Sequence, residues 1–213
     1  MLIASYNKEQ LGDVLLVVVA DDQGTQAFEK KENIVRIFDE ETNQTKGYNF
    51  FDAAAILGEL DVLGQVFLDD AQVEKLNAAL TKAGFEAELV NDHEPKFVVG
   101  HVDELEDHPD SDHLHVTKVT IDGQKQLQIV CGAPNIEAGQ NVVVAKVGAM
   151  MPDGSLIFAG KLRGIDSFGM ICSARELALP NAPQKRGILV LDPEEYPCGQ
   201  AFDFQKAQNL FQA

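Results

Sequence analysis

Residues 97–132, FVVGHVDELEDHPDSDHLHVTKVTIDGQKQLQIVCG, hold the runs that decide the fold. FVVGHV (97–102), LHVTKVTI (114–121) and LQIVCG (127–132) are rich in Val, Ile and Leu and are separated by turn formers, the composition of short strands. Asp122-Gly123 stands between the second and third as a tight hairpin signal. Three further runs follow: NVVVAKV (141–147), LIFAGKL (156–162) and GILVL (187–191). Short strands at this spacing predict an all-β domain, a small closed barrel or a sandwich. An OB-like Greek-key barrel fits the strand count and length, and periodicity alone does not choose it over other small barrels.

The first half has a different texture. Strand-like runs at 2–6, 14–20 and 34–38 lead into the turn-rich DEETNQTKG and then Tyr48 to Phe51, which predicts a sheet with a hairpin. Asp69-Asp70 precede AQVEKLNAALTKAG, where Val73, Leu76, Leu80 and Ala83 share one helical face and Gly84 is placed to end the helix. An acidic α+β domain is therefore expected over residues 1–95 and the all-β domain over 96–213, divided at Glu94-Pro95-Lys96.

Charge divides the chain in the same place. Its 213 residues carry a formal net charge of -17. Residues 1–95 hold 7 Lys+Arg against 19 Asp+Glu, net -12, and residues 96–213 hold 10 against 15, net -5. Within the second half six acids crowd into HVDELEDHPDSDH (101–113), and residues 114–191 are left with 8 basic and 5 acidic side chains, net +3. The total disfavours a polyanionic partner; this one segment does not.

Other classes fall away on composition. The longest apolar runs, such as LLVVVA at 15–20, are far short of the roughly 20 residues that cross a bilayer. No leader is visible after Met1, so a membrane is not expected as a partner. Three cysteines without a CxxC pair speak against a disulfide framework and fit reduced thiols in a cytoplasm. Cys131 and Cys172 each follow an apolar residue in an expected strand, the setting of an inert buried thiol. Ser167 lacks a nucleophile elbow, and no enzyme or cofactor is expected. His101, His108, His113 and His115 lie among acids, but if LHVTKV is a strand only His113 and His115 share a face, and no second cluster completes a metal set. The plainer reading is a loop at Pro109 to Asp112 whose short carboxylates cap main-chain N–H groups.

Two stretches of the positive segment remain. In CGAPN (131–135), Gly132 permits close approach and Asn135 offers both a donor and an acceptor to a base or a 2′-OH. In KLRGIDSFGMICSARELAL (161–179), Lys161 and Arg163 would share a strand face two residues apart, able to meet adjacent phosphates. Ser173 and Glu176 have the spacing of a capping box. A glycine-rich barrel corner with two solvent-facing cations explains the same residues, and chemistry alone leaves both readings open.

IVCGAPNIEAGQNVVVAKVGAMMPDG (129–154), followed by KLRGIDSFGMICSARELAL and preceded by HPDSDHL (108–114), resembles the tRNA-binding domain of the bacterial phenylalanyl-tRNA synthetase β-subunit, of some methionyl-tRNA synthetases and of free-standing tRNA-binding proteins. With an acidic α+β domain in front, the chain resembles the YtpR family. The resemblance covers about Phe97 to Phe202 and implies an OB-fold that holds tRNA by its folded shape, without catalysis. Carried over by position, it implies contacts at Asn135, Lys146, Lys161, Arg163, Ser167, Met170 and Ser173, with Gly164 and Gly169 shaping the loop. Two positions depart from the pattern: Phe168 stands where glutamate is frequent, and Ala178 where glycine is usual. Phe168 either stacks on a base or fills the barrel mouth. The resemblance also implies a homodimer, for which 187–213 is apolar enough to form the joint. The rival function is an interaction module whose barrel docks a tRNA synthetase or another translation factor.

Overall fold

A computed structural model describes residues 1–123 and 125–212. The chain divides into two units, Met1–His93 and Glu94–Ala213.

The first unit contains β1 (Ile3–Tyr6), α1 (Lys8–Leu11), β2 (Val14–Val18), β3 (Gln26–Lys31), β4 (Ile34–Asp39), β5 (Thr45–Phe51), α2 (Ala53–Leu57), β6 (Gly64–Val66) and α3 (Asp70–Ala83). Its six strands form one antiparallel sheet in the order β3-β4-β5-β2-β1-β6. Leu15, Val17, Tyr48 and Phe50 point from the sheet into a core closed by Val73, Leu76 and Leu80 of α3. The helix begins with a full capping box. Asp69 accepts the N–H of Gln72 at 2.7 Å, and the Gln72 side chain accepts the N–H of Asp69 at 3.0 Å. Gly84, at φ 84°, ends it in the left-handed region. Strands β3 and β6 were not expected.

The second unit contains β7 (Phe97–Asp107), β8 (His115–Asp122), β9 (Lys125–Cys131), β10 (Asn141–Ala145), β11 (Gly160–Leu162), β12 (Ile165–Ser167), β13 (Met170–Ile171), β14 (Val190–Leu191) and α4 (Phe204–Ala207). Its main sheet runs β13-β10-β7-β8-β9, with β14 beside β10. β7 serves two neighbours. Residues 97–101 pair with β10 and residues 101–107 with β8, and the register shifts between Val102 and Glu104. A bulge there bends the strand around the core. At Gly100 a Cβ would lie 2.6 Å from Val119 Cγ1 and 2.8 Å from Val144 Cγ2, so the close packing of these side chains over β7 favours glycine there.

Val98, Val102, Val119, Ile129, Val142 and Val144 fill one core cluster. Val99, Val143 and Ala145, on the opposite face of β7 and β10, join a second with Leu177, Leu189, Leu191, Tyr196 and Phe202. Strands covered on both faces read as unbroken apolar runs, which is why VVVA does not alternate.

Three expectations are corrected here. His113 lies in the loop before β8, so His113 and His115 do not share a strand face. Of LIFAGKL only Gly160–Leu162 is strand, with Leu156 in an isolated bridge to Met150, and of GILVL only Val190–Leu191. Arg163 is not strand-borne. Leu162 pairs with Ile165, leaving Arg163 and Gly164 as the two turn residues, at φ 45° and 86°. Positive φ at both central residues is the signature of a type I′ hairpin turn, and it puts Arg163 at the tip instead of two strand places from Lys161 on the same face.

Candidate nucleic-acid interface

The hairpin β11–β12 forms its own two-stranded sheet. Its base is fastened to β9: Val130 N–H donates to Ser167 Oγ at 3.1 Å, Gln128 Nε2 to the Asp166 carbonyl at 2.8 Å, and Phe168 N–H to the Gln128 carbonyl at 2.9 Å. These bonds draw together the two ends of the main sheet. Gly169 sits so close to the Ala145 carbonyl that a Cβ would lie 2.8 Å from it, and its φ of 141° suits glycine. Gly164 meets nothing within 4 Å and is needed only for its turn conformation.

The hairpin presents Lys161, whose Nζ stands 3.4 Å from Asp166 Oδ1, and Arg163, whose Nη1 donates to the Asp110 carbonyl at 2.9 Å. Both cations are exposed, and this surface also carries Phe168, 41% exposed.

The remaining residues implied by the resemblance have internal partners. Ser167 is 5% exposed and serves the seam. Asn135 uses both ends of its amide on one residue: Nδ2 donates to the Ile188 carbonyl at 3.1 Å and Oδ1 accepts its N–H at 2.8 Å. Lys146 Nζ contacts Glu94 Oε2 at 3.0 Å, with its side chain 13% exposed. Met170 packs on the second core cluster.

Ser173 and Glu176 form the expected reciprocal pair, Ser173 N–H to Glu176 Oε2 at 2.7 Å and Glu176 N–H to Ser173 Oγ at 3.2 Å. They cap a single turn, not a regular helix. The turn closes as a Schellman motif: Leu179 N–H reaches the Ala174 carbonyl at 3.0 Å, Ala178 N–H reaches the Arg175 carbonyl at 2.9 Å, and Ala178 lies at φ 52°.

Beside this turn lies a cleft of about 260 Å³ between residues 130–133, 170–176 and 186–188, adjoined by a second hollow of about 340 Å³ along 183–190. Arg175 and Arg186 line both, Lys185 lines the second, and all three are exposed. Arg186 Nη2 donates to the Gly132 carbonyl at 3.0 Å. The one acid here, Glu176, is engaged by Ser173. These three cations were not singled out in the sequence; their clustering within the positive segment was the available signal.

Burial raises the thiols of Cys131 and Cys172, the latter up to about 12, so neither is an activated nucleophile. Among the described residues no group of three or more His, Cys, Asp and Glu side chains is placed to hold a metal, and no helix is long and apolar enough to cross a membrane. The groups offered outward include guanidinium and ammonium cations and an aromatic ring, with the exposed Asp166 carboxylate beside Lys161, and the cations suit noncovalent capture of a polyanion.

Residues 97–201 match the family described as "Putative tRNA binding domain", and residues 21–92 the "Domain of unknown function (DUF4479)". The chain is 50% identical over 202 residues to "Putative tRNA-binding protein YtpR" of Bacillus subtilis (strain 168), covering 94% of this chain and 99% of that protein. It is 50% identical over 117 residues to the phenylalanine–tRNA ligase beta subunit of Oceanobacillus iheyensis, covering 54% of this chain and 14% of the subunit. The beta subunit of Ralstonia nicotianae is 46% identical over 144 residues, 64% of this chain and 17% of its own. The chain thus spans under a fifth of the ligase subunits that it matches.

Proposed function

The chain belongs to the YtpR family, and from that premise we propose that it is a noncatalytic tRNA-binding protein whose second unit is an OB-fold. Numbering the strands of the main sheet by their first appearance gives the order 5-4-1-2-3, and the bonds from 166–168 to β9 bring strand 5 toward strand 3. Both features support a five-stranded Greek-key barrel.

The observation that carries the function is a set of exposed cations on a chain of net charge -17: Lys161 and Arg163 on the hairpin, and Arg175, Lys185 and Arg186 along the cleft, all from the one segment with a net positive charge. They would meet phosphates of a folded tRNA, reading shape more than sequence. Phe168 is available to stack on an unpaired base, a contact worth about 1–3 kcal/mol. In this reading Asn135, Lys146, Ser167, Gly169, Met170 and Ser173 hold the surface in shape, and Gly164 allows the hairpin to turn. The ligase likeness supports a synthetase as a further partner. A dimer through 187–213 has less support, because Leu189, Leu191, Tyr196, Phe202 and Ala207 are spent inside the core.

The test is the salt dependence of binding to total tRNA. Changing Lys161 and Arg163 together to Glu should weaken binding and flatten the log–log slope by about 0.7–0.9 for each phosphate that is no longer neutralised. The melting temperature should barely move, since both cations are exposed. Unchanged affinity and slope, in this variant and in Arg175→Glu/Arg186→Glu, would overturn the reading.

A further inference from the structure

One side chain of the loop HPDSDHL, His108, reaches the hairpin tip. His108 is 3% exposed, and each of its hydrogen-bonding groups has a partner. Its N–H donates to the Leu114 carbonyl at 3.0 Å and its carbonyl accepts Ser111 N–H at 3.2 Å, which closes the loop on itself. Its Nδ1 accepts the N–H of Asp110 at 3.1 Å. A nitrogen that accepts is unprotonated, so in the neutral ring the proton sits on Nε2, which donates to the Leu162 carbonyl at 3.1 Å, 54 residues away. Leu162 is the residue before the turn. The next residue, Arg163, sends its guanidinium back to the Asp110 carbonyl at 2.9 Å. Loop and tip are therefore joined by two bonds of opposite direction.

The hairpin needs such an anchor. β11 is exposed at all three of its residues, an isolated two-stranded hairpin is marginal in water, and Arg163 occupies a left-handed conformation that disfavours a side chain. The bonds from β9 secure only its base. Cations on a tip free to swing would have to be ordered on each encounter with a ligand, at the expense of affinity.

We propose that His108 is a positioning residue: its imidazole bridges the Asp110 N–H and the Leu162 carbonyl and so holds the tip where Lys161 and Arg163 meet the RNA backbone. The proposal rests on the reading of the hairpin as a tRNA contact.

Two substitutions divide the bridge. In His108→Asn the shorter amide can still accept the N–H of residue 110, as in an Asx turn, but falls short of Leu162. In His108→Gln the longer amide reaches the Leu162 carbonyl. Amide hydrogen exchange of residues 160–167 and affinity for total tRNA are measured in the full chain, together with the melting temperature. The Asn variant should exchange faster in the hairpin and bind tRNA about tenfold more weakly, the size of one lost hydrogen bond, while the Gln variant stays near wild type in both.

Wild-type hairpin exchange in the Asn variant overturns the proposal. Faster exchange with unchanged affinity also overturns it, since the anchored tip would then not serve binding, and so does a Gln variant as impaired as Asn, since His108 would then serve only to fold its own loop. Should the Asn variant unfold, the Gln variant decides alone, and faster hairpin exchange in it refutes the bridge. If wild-type protein fails to bind tRNA, the functional reading fails, while exchange still reports whether the bridge exists.

Discussion

The hydroxyl of Ser167 accepts the main-chain N–H of Val130 at 3.1 Å and faces the Gly169 carbonyl at 3.4 Å. One side chain thus stands in for a ladder bond where the ends of the sheet approach. Ser167→Ala would leave a buried N–H unmatched, which costs about 1–3 kcal/mol. In a unit of this size, between the small and large domain classes, each kcal/mol lowers the midpoint by about 3–6 °C, so thermal unfolding should show a clear drop. Affinity for tRNA, measured well below that midpoint, should hardly change. A variant of full stability and lost affinity would make Ser167 a direct contact after all.

Ala178 occupies the left-handed position of a Schellman motif, at φ 52°, where the resembling domains usually carry glycine. A left-handed conformation costs a residue with a Cβ about 1–2 kcal/mol, partly offset by the greater freedom of glycine in the unfolded chain. Ala178→Gly should therefore stabilise the second unit by roughly 0.5–1 kcal/mol, visible as a higher urea midpoint at unchanged slope. A lower midpoint would mean that the turn does not bear this strain.

Asp39 gives the first unit an acid-sensitive corner. Its carboxylate accepts the Thr42 hydroxyl and the Thr42 N–H, both at 2.7 Å, and these bonds, the hydroxyl first, hold its carboxyl below the usual range. A lowered folded value means that the contribution is complete above the unfolded value of about 3.9 and fades as pH falls through the folded one. The stability difference between wild type and Asp39→Asn should thus be constant near neutrality and shrink below about pH 4. Urea unfolding of the first unit at a series of pH values measures it. A difference that grows on acidification would contradict the assignment.

Where local chemistry sufficed, the sequence could be read. Asp69, the apolar face of Val73, Leu76 and Leu80, and Gly84 mark α3 without help from the rest of the chain. β3 escaped because Gln26–Lys31 lies at a sheet edge, and its one large apolar residue, Phe28, is 74% exposed and leaves no burial pattern. The hairpin turn escaped because arginine is a poor choice for a positive φ; its conformation is supported by Gly164 and by contacts with His108 and Asp110 far back in the chain. The internal bonds of Asn135 were hidden for the same reason, since its partner Ile188 lies 53 residues on. The cations of the cleft are separated in sequence and meet only because Gly187 and Ile188 dock beside Ser173 and Arg175.

The three thiols make the molecule its own clock. Cys172 is fully enclosed and its thiol is pushed up to about 12, so at neutral pH a thiol reagent finds neither access nor thiolate until the strands part. Cys131 is buried and raised in the same way. Cys198 is exposed, though its Sγ donates to the Thr120 carbonyl at 3.2 Å. Labelling of native protein should begin at Cys198, and the slower modification of the other two then counts openings of the second unit, without an introduced residue and without a tryptophan, which the chain lacks.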